Sequence, residues 1–241
     1  MRFILSLVTA SALAAGSAHA QFDIEESTTA SQEVKLEILN TIRTGSIPAN
    51  TNRNEHEVGV TYGALEGWAP SLSFLVTNPR NGDMTLSGFK FSSVIAILGG
   101  EVSDSAFSLG FYSAVIYDFD RSNNRRVEVG PTVGYRQGDW SAALNTFVSI
   151  PLNNGDVGFR YAVGGSYDIN SMFALGAEAH GTVTSVFEDA DLSRDEHVIG
   201  PTLKLALEPD GKDVAFRVGT FFGLTDAAPT LAVSANVDFG F

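Results

Sequence analysis

The sequence predicts an all-β chain folded as a membrane-spanning, up-and-down antiparallel β-barrel of about twelve strands. Three observations point there. Only 18% of the 241 residues are charged, while aromatics reach 10% and Gly occurs 24 times. That suits a β-rich chain with one face in an apolar medium. Apolar residues alternate with small or polar ones through much of the chain, yet the longest uninterrupted apolar run, Val94 to Leu98, is far below the ~18 residues of a membrane helix. Breaks rich in Gly, Asn, Asp and Pro cut the alternating stretches at regular intervals, as hairpin connections do.

The first element is an address. Arg2 supplies a positive start, Phe3 to Ala15 an apolar stretch, and Ala18-His19-Ala20 an A-x-A cleavage site. Residues 1–20 are therefore expected to be a cleaved export signal. Their removal takes away one basic residue and moves the net charge from −13 to −14. Residues 21–32 read as an N-terminal tail and 33–241 as the barrel.

Strands are expected near 33–45, 55–65, 69–78, 84–98, 105–119, 125–137, 140–152, 155–168, 173–185, 196–208, 214–225 and 229–241. About 18 residues are available for each strand and its connection, comfortable where ~9–11 residues cross the bilayer. In the sixth, Val127, Val129, Val133 and Tyr135 alternate with Glu128, Gly130, Thr132, Gly134 and Arg136. The eighth sets Val157, Phe159, Tyr161 and Val163 against Gly158, Arg160, Ala162 and Gly164. In the eleventh, Val214, Phe216, Val218 and Phe222 oppose Ala215, Arg217, Gly219 and Gly223. The last is the cleanest: Leu231, Val233, Ala235, Val237, Phe239 and Phe241 against Ala232, Ser234, Asn236, Asp238 and Gly240. A period of two with one apolar face marks a strand between two media. With both termini on the periplasmic side, the odd connections face outward. These include the polar breaks Ser46–Asn54, Asp120–Arg125 and Phe187–Asp195, and the even ones, such as Gln137–Asp139 and Glu208–Asp213, are tighter. A soluble β-sandwich also alternates, but it favours larger polar residues and Lys outside, whereas the non-apolar face here is crowded with Gly, Ala and Ser.

Composition and motifs narrow the function. A net charge of −13 argues against nucleic acid as a partner, since phosphate neutralisation needs clustered cations. The absence of Cys removes thiolate metal sites and cysteine nucleophiles. His56-Glu57 begins like a zinc-protease helix but lacks the second His. Gly164-Gly165-Ser166-Tyr167-Asp168 lacks the closing Gly of a nucleophile elbow. Asp189, Asp191, Ser193 and Asp195 start like a calcium loop, but Arg194 holds the Gly position and Gly200 that of the closing Glu. His180 and His197 have no distinctive Ser motif beside them, and no nucleotide loop is present. No enzyme, cofactor or metal is predicted.

The ending Phe221 to Pro229, followed by an alternating strand closing on Phe241, resembles bacterial outer-membrane barrels. More narrowly, Val129-Gly130-Pro131-Thr132, Ile199-Gly200-Pro201-Thr202 and Gly176-Ala177-Glu178-Ala179-His180-Gly181 are similar to the transporter-like barrel family named for the MetA pathway of phenol degradation. The resemblance covers most of 125–241 and fades before 100. It implies that Phe241 and its strand are read by the outer-membrane assembly machinery.

If the apolar alternates face lipid, the inward set includes Glu128, Arg136, Arg160, Glu178, His180, Lys204, Arg217 and Asp238. Arg160, Glu178, Lys204, Arg217 and Asp238 are expected side by side on one wall. Such charges line an aqueous path or lock together as a plug. The chain is expected to be a monomer in outer-membrane lipid, acting as a narrow passive channel for a small-molecule solute. The alternative is a non-conducting barrel with an envelope-structural or surface-interaction role.

Overall fold

The computed structural model describes residues 33–44, 54–78, 83–99, 107–119, 125–153, 156–187, 195–208 and 213–241. The predicted export signal and tail lie outside them. Twelve strands follow one another: β1 (Val34–Thr44), β2 (Asn54–Tyr62), β3 (Trp68–Asn78), β4 (Thr85–Leu98), β5 (Phe107–Asp118), β6 (Arg125–Gln137), β7 (Trp140–Pro151), β8 (Gly158–Asp168), β9 (Phe173–Val183), β10 (Glu196–Leu207), β11 (Val214–Gly223) and β12 (Leu231–Gly240). Each pairs antiparallel with its sequence neighbours, and β1 pairs with β12 from Lys35↔Gly240 to Thr44↔Leu231. The barrel is therefore closed. Closure leaves no strand edge, so the ladder hydrogen bonds are satisfied within the chain, as a bilayer requires.

Strand limits fall within three residues of those expected: β2 and β3 begin one residue early, β6 matches at both ends, and most others stop short where turn chemistry takes over. β2 stops at Tyr62 because Leu65 and Trp68 close a tight turn, with Trp68 N–H donating to the Leu65 carbonyl at 3.0 Å. β11 stops at Gly223, and a turn bonds Ala228 N–H to the Thr225 carbonyl at 3.1 Å. The contrast between long odd and tight even connections is not strict. The even β4–β5 connection, 99–106, is longer than the odd β5–β6 one, 119–124.

The alternation sorts the two faces as read. Val58, Phe74, Phe91, Val115, Val163 and Val218 are exposed on the outside, while Glu57, Ser73, Ser92, Ala114, Ala162 and Gly219 are buried inside. Aromatics mark the ends of the apolar band, as in membrane barrels. At the end carrying the termini, Trp140 packs on Tyr167 with ring centroids 5.0 Å apart, and Trp68 Nε1–H donates to Ser93 Oγ at 2.7 Å. Two pairs of outward-facing polar residues satisfy each other. Asn40 and His56 are register partners that hydrogen-bond each other, and Tyr161 Oη lies 2.9 Å from His197 Nδ1.

The inner face departs from the expectation of small and polar residues. Leu75, Tyr112, Ala114, Ile116 and Phe147 form one buried apolar cluster, and Val198, Phe221, Ala228 and Ala232 another. Two similar segments make room for the inward rings. At Gly130 an added Cβ would lie 1.8 Å from the Thr146 carbonyl oxygen, and at Gly200 one would lie 1.7 Å from that of Thr220. Each glycine precedes a proline (Pro131, Pro201), and the next strand follows its crowded Thr with an inward aromatic, Phe147 or Phe221. Only glycine permits strands to approach this closely.

Candidate functional site

The lumen is the candidate site, and the register dictates what faces it. Of the nine described Lys and Arg residues, eight fall on inward positions: Lys35, Arg43, Lys90, Arg126, Arg136, Arg160, Lys204 and Arg217. A strand offers every second residue to one medium, so cations absent from the lipid face must appear inside.

The ionic groups form clusters. Arg43, with its side chain 1% exposed, pairs with Glu55 at 2.6 Å and approaches Glu196 at 3.8 Å. Glu128 is held by Arg126 at 3.1 Å and Arg160 at 3.5 Å, and Arg160 also covers the Phe147 ring at 5.5 Å. Glu178 accepts from Arg217 Nη1 at 3.1 Å and lies 3.1 Å from His180 Nε2, while the His180 ring stands edge-on to Phe221. Lys90 pairs with Glu57 at 2.6 Å, and Glu37 takes Lys35 at 3.6 Å and the Thr61 hydroxyl at 3.0 Å.

The Arg43 and Glu128 clusters and the apolar rings fill the half of the lumen nearest the odd connections, and at mid-height Thr132 and Asn145 are completely buried. The half nearest the termini holds a cavity of about 130 Å³, lined by Lys35, Glu37, Lys90, Lys204, Arg217 and Asp238 among others. A space of that size admits several waters or a small solute.

All eight charged residues singled out in the sequence occupy inward registers, but the five expected side by side, Arg160, Glu178, Lys204, Arg217 and Asp238, do not form one wall. Arg160 reaches Glu128, two strands away, because its register neighbours Phe147 and Thr182 carry no charge. Arg217 has Lys204 and Asn236 beside it, so it turns from the like charge to Glu178 on β9. Glu178 lies between Gly164 and Gly200, whose missing side chains leave the path clear. Lys204 and Asp238 line the cavity, whereas Arg136 pairs with Asp168 at the mouth, its side chain 67% exposed. Lys35, Glu37, Arg43, Glu55, Glu57, Lys90, Arg126 and Glu196 belong to the same lumen and were missed. Most of them lie on β1, β2 and β4, where the alternation is less regular. The inward Phe221 was legible: of the consecutive Phe221 and Phe222, one must face inward.

His56 and Glu57 are on a strand, hence on opposite faces, and they share no ligand. Asp195 is buried, its carboxylate accepting from Thr184 N–H at 3.0 Å; Asp189, Asp191 and Ser193 lie outside the described residues. Among the described residues no group of three or more potential ligands is placed to hold a metal.

No protein-family model and no curated protein matches the chain. Solved structures do. The fold is similar to an outer-membrane channel of Pseudomonas putida F1, with a TM-score of 0.62 at 10% identity over 91% of this chain and 99% of that one. It is also similar to the NanC porin (TM-score 0.58, 14% identity, 86% and 98%) and the KdgM porin (TM-score 0.56, 12% identity, 86% and 99%). At such identities the likeness shows a shared fold: the closed barrel of outer-membrane proteins.

Proposed function

We propose that this protein is a passive outer-membrane channel that lets small polar or charged solutes move down their gradient through the lumen. The observation that carries the reading is the inward placement of eight of the nine described Lys and Arg residues, four of which (Lys35, Lys90, Lys204 and Arg217) line the cavity together with Asp238. Charges are expensive beside lipid and useful beside an aqueous path. The expected export signal, the apolar outer belt and the fold shared with porins support the location and the class. Glu128, Arg160, Glu178, His180 and Arg217 would form the constriction, with Lys204 and Asp238 in the vestibule and Arg136 at its mouth. Kinship with the MetA-pathway barrels rests on the two Gly-Pro-Thr segments, which build equivalent pinches in the wall. A monomer suffices, because one chain closes the barrel.

The second reading, a non-conducting barrel, is favoured by the packed half of the lumen, where Arg43, Glu128 and Phe221 are all but inaccessible. Conductance in planar bilayers separates the two. A channel gives single-channel steps in the wild type, and Arg217→Glu moves its reversal potential in a salt gradient toward cation selectivity. A plug gives no steps in the wild type. Breaking the Arg217–Glu178 pair would then leave uncompensated buried charge worth about 3–5 kcal/mol and let conductance appear only in the mutant. Steps whose selectivity ignores the substitution would take Arg217 off the path.

A further inference from the structure

The lipid-facing surface carries one strong cation among the described residues. Arg125 opens β6 in an outward register, and a single outward row runs Phe74↔Phe89↔Tyr117↔Arg125 across β3 to β6. The rings of Phe89 and Tyr117 stack at 5.4 Å with planes 7° apart, and Phe119 meets Tyr117 edge-on at 5.6 Å. The Arg125 guanidinium lies 4.6 Å from the Tyr117 ring centroid and donates from Nη2 to the Tyr117 hydroxyl at 3.0 Å. The group sits at the odd-connection end of the barrel, where the apolar band meets the polar headgroup layer.

A guanidinium presents five donors in a flat fork. Stacking on Tyr117 fixes the plane of this one, and the Tyr117 hydroxyl takes a single donor. The stacked rings offer an apolar shelf for acyl chains beside it in the same row, where amphipathic aromatics serve membrane girdles. A net charge of −13 on the chain repels anions in general, so a cation held outward at the rim, the one such cation among the described residues, is a local exception with a local use. Near the interface an outward Arg costs little, about 0–1 kcal/mol.

We propose that Arg125, Tyr117, Phe89 and Phe119 form a binding site for the net-anionic phosphomonoester headgroup of a lipid in the leaflet at the odd-connection end. The guanidinium holds the phosphate and the rings hold the acyl chains, which is why the ligand is a lipid and not free phosphate. The site rests on the membrane-barrel reading and is independent of whether the lumen conducts.

Native mass spectrometry of the full barrel, released from detergent with added diphosphoryl lipid A or phosphatidylcholine, tests it. Wild type should retain lipid A over phosphatidylcholine, and Arg125→Ala should lose that preference, with a fall in adduct of roughly five-fold, the upper range for an exposed ionic contact. Arg125→Lys, which keeps the charge but not the fork, should fall between them. Arg125→Gln replaces the Ala variant if that one does not fold, as judged by heat-modifiable gel migration. Conductance should be the same in all variants, so failure here is distinct from failure of the channel reading. Equal lipid A retention by wild type and the neutral variants overturns the proposal, as does equal retention of phosphatidylcholine by wild type. Displacement of the adduct by millimolar inorganic phosphate would also overturn it, because the site would then read a free anion.

Discussion

Val218 and Ala206 are apolar strand residues that meet different media. Val218 is 46% exposed on the outer face, and Ala206 faces inward in the open half of the lumen. Val218→Arg should impair folding by about 2–4 kcal/mol, the cost of a cation near the bilayer midplane. Ala206→Arg should fold like wild type, because the new guanidinium enters the lumen. Urea midpoints in phospholipid vesicles measure both, and equal destabilisation would reverse the face assignment. Facing inward is not enough for tolerance. Thr202 also faces inward, yet it is 5% exposed and its hydroxyl lies 2.8 Å from where a Cβ on Gly176 would stand. An Arg there would overpack a filled site and lower stability by about 1–3 kcal/mol, read as a lower urea midpoint.

At the scale of elements, β12 joins two roles. Its ladder to β1 closes the barrel, and beyond it Phe241 exchanges backbone hydrogen bonds with Val34, N–H to carbonyl at 3.0 Å one way and 3.3 Å the other. The Phe241 side chain is 60% exposed on the lipid side, so it adds little to packing. Its proposed role as an assembly signal therefore separates from closure. Phe241→Ala should refold in detergent with unchanged thermal stability but reach the outer membrane of cells several-fold less. Deleting Phe241 should lower both yields, since the seam loses its last backbone pair. Unimpaired assembly of Phe241→Ala in cells would leave the residue as an apolar strand end.

For the whole molecule, the two ends of the lumen differ. Packing and ion pairs fill the half near the odd connections, and the cavity occupies the half near the termini. With the termini periplasmic, the filled half faces outward and solute from inside the envelope meets the vestibule first. Protease added to intact cells should then cut within 46–54, 120–125 or 187–195 and spare 208–213. Fragment masses from washed cells report the site, and selective cutting at 208–213 would invert the orientation and place the vestibule outside.

The sequence by itself determined the export signal as an expectation, the number of strands, their order and which residues meet lipid. These follow from local rules: a period of two, turn residues between strands, and the cost of charge beside acyl chains. All eight residues expected in the lumen stand on inward registers for that reason. What only the tertiary structure decided is who meets whom across the lumen. Alternation sets a direction for each side chain but not its reach. Arg160 and Arg217 pass over neutral or like-charged neighbours to carboxylates two strands away. The inward Tyr112 and Phe147 were hidden because closure gives the inner face a core of its own. Where opposite walls lie close enough to exclude water, an inward position becomes a packed one, and whether it lines a path or blocks it depends on the curvature of the closed sheet.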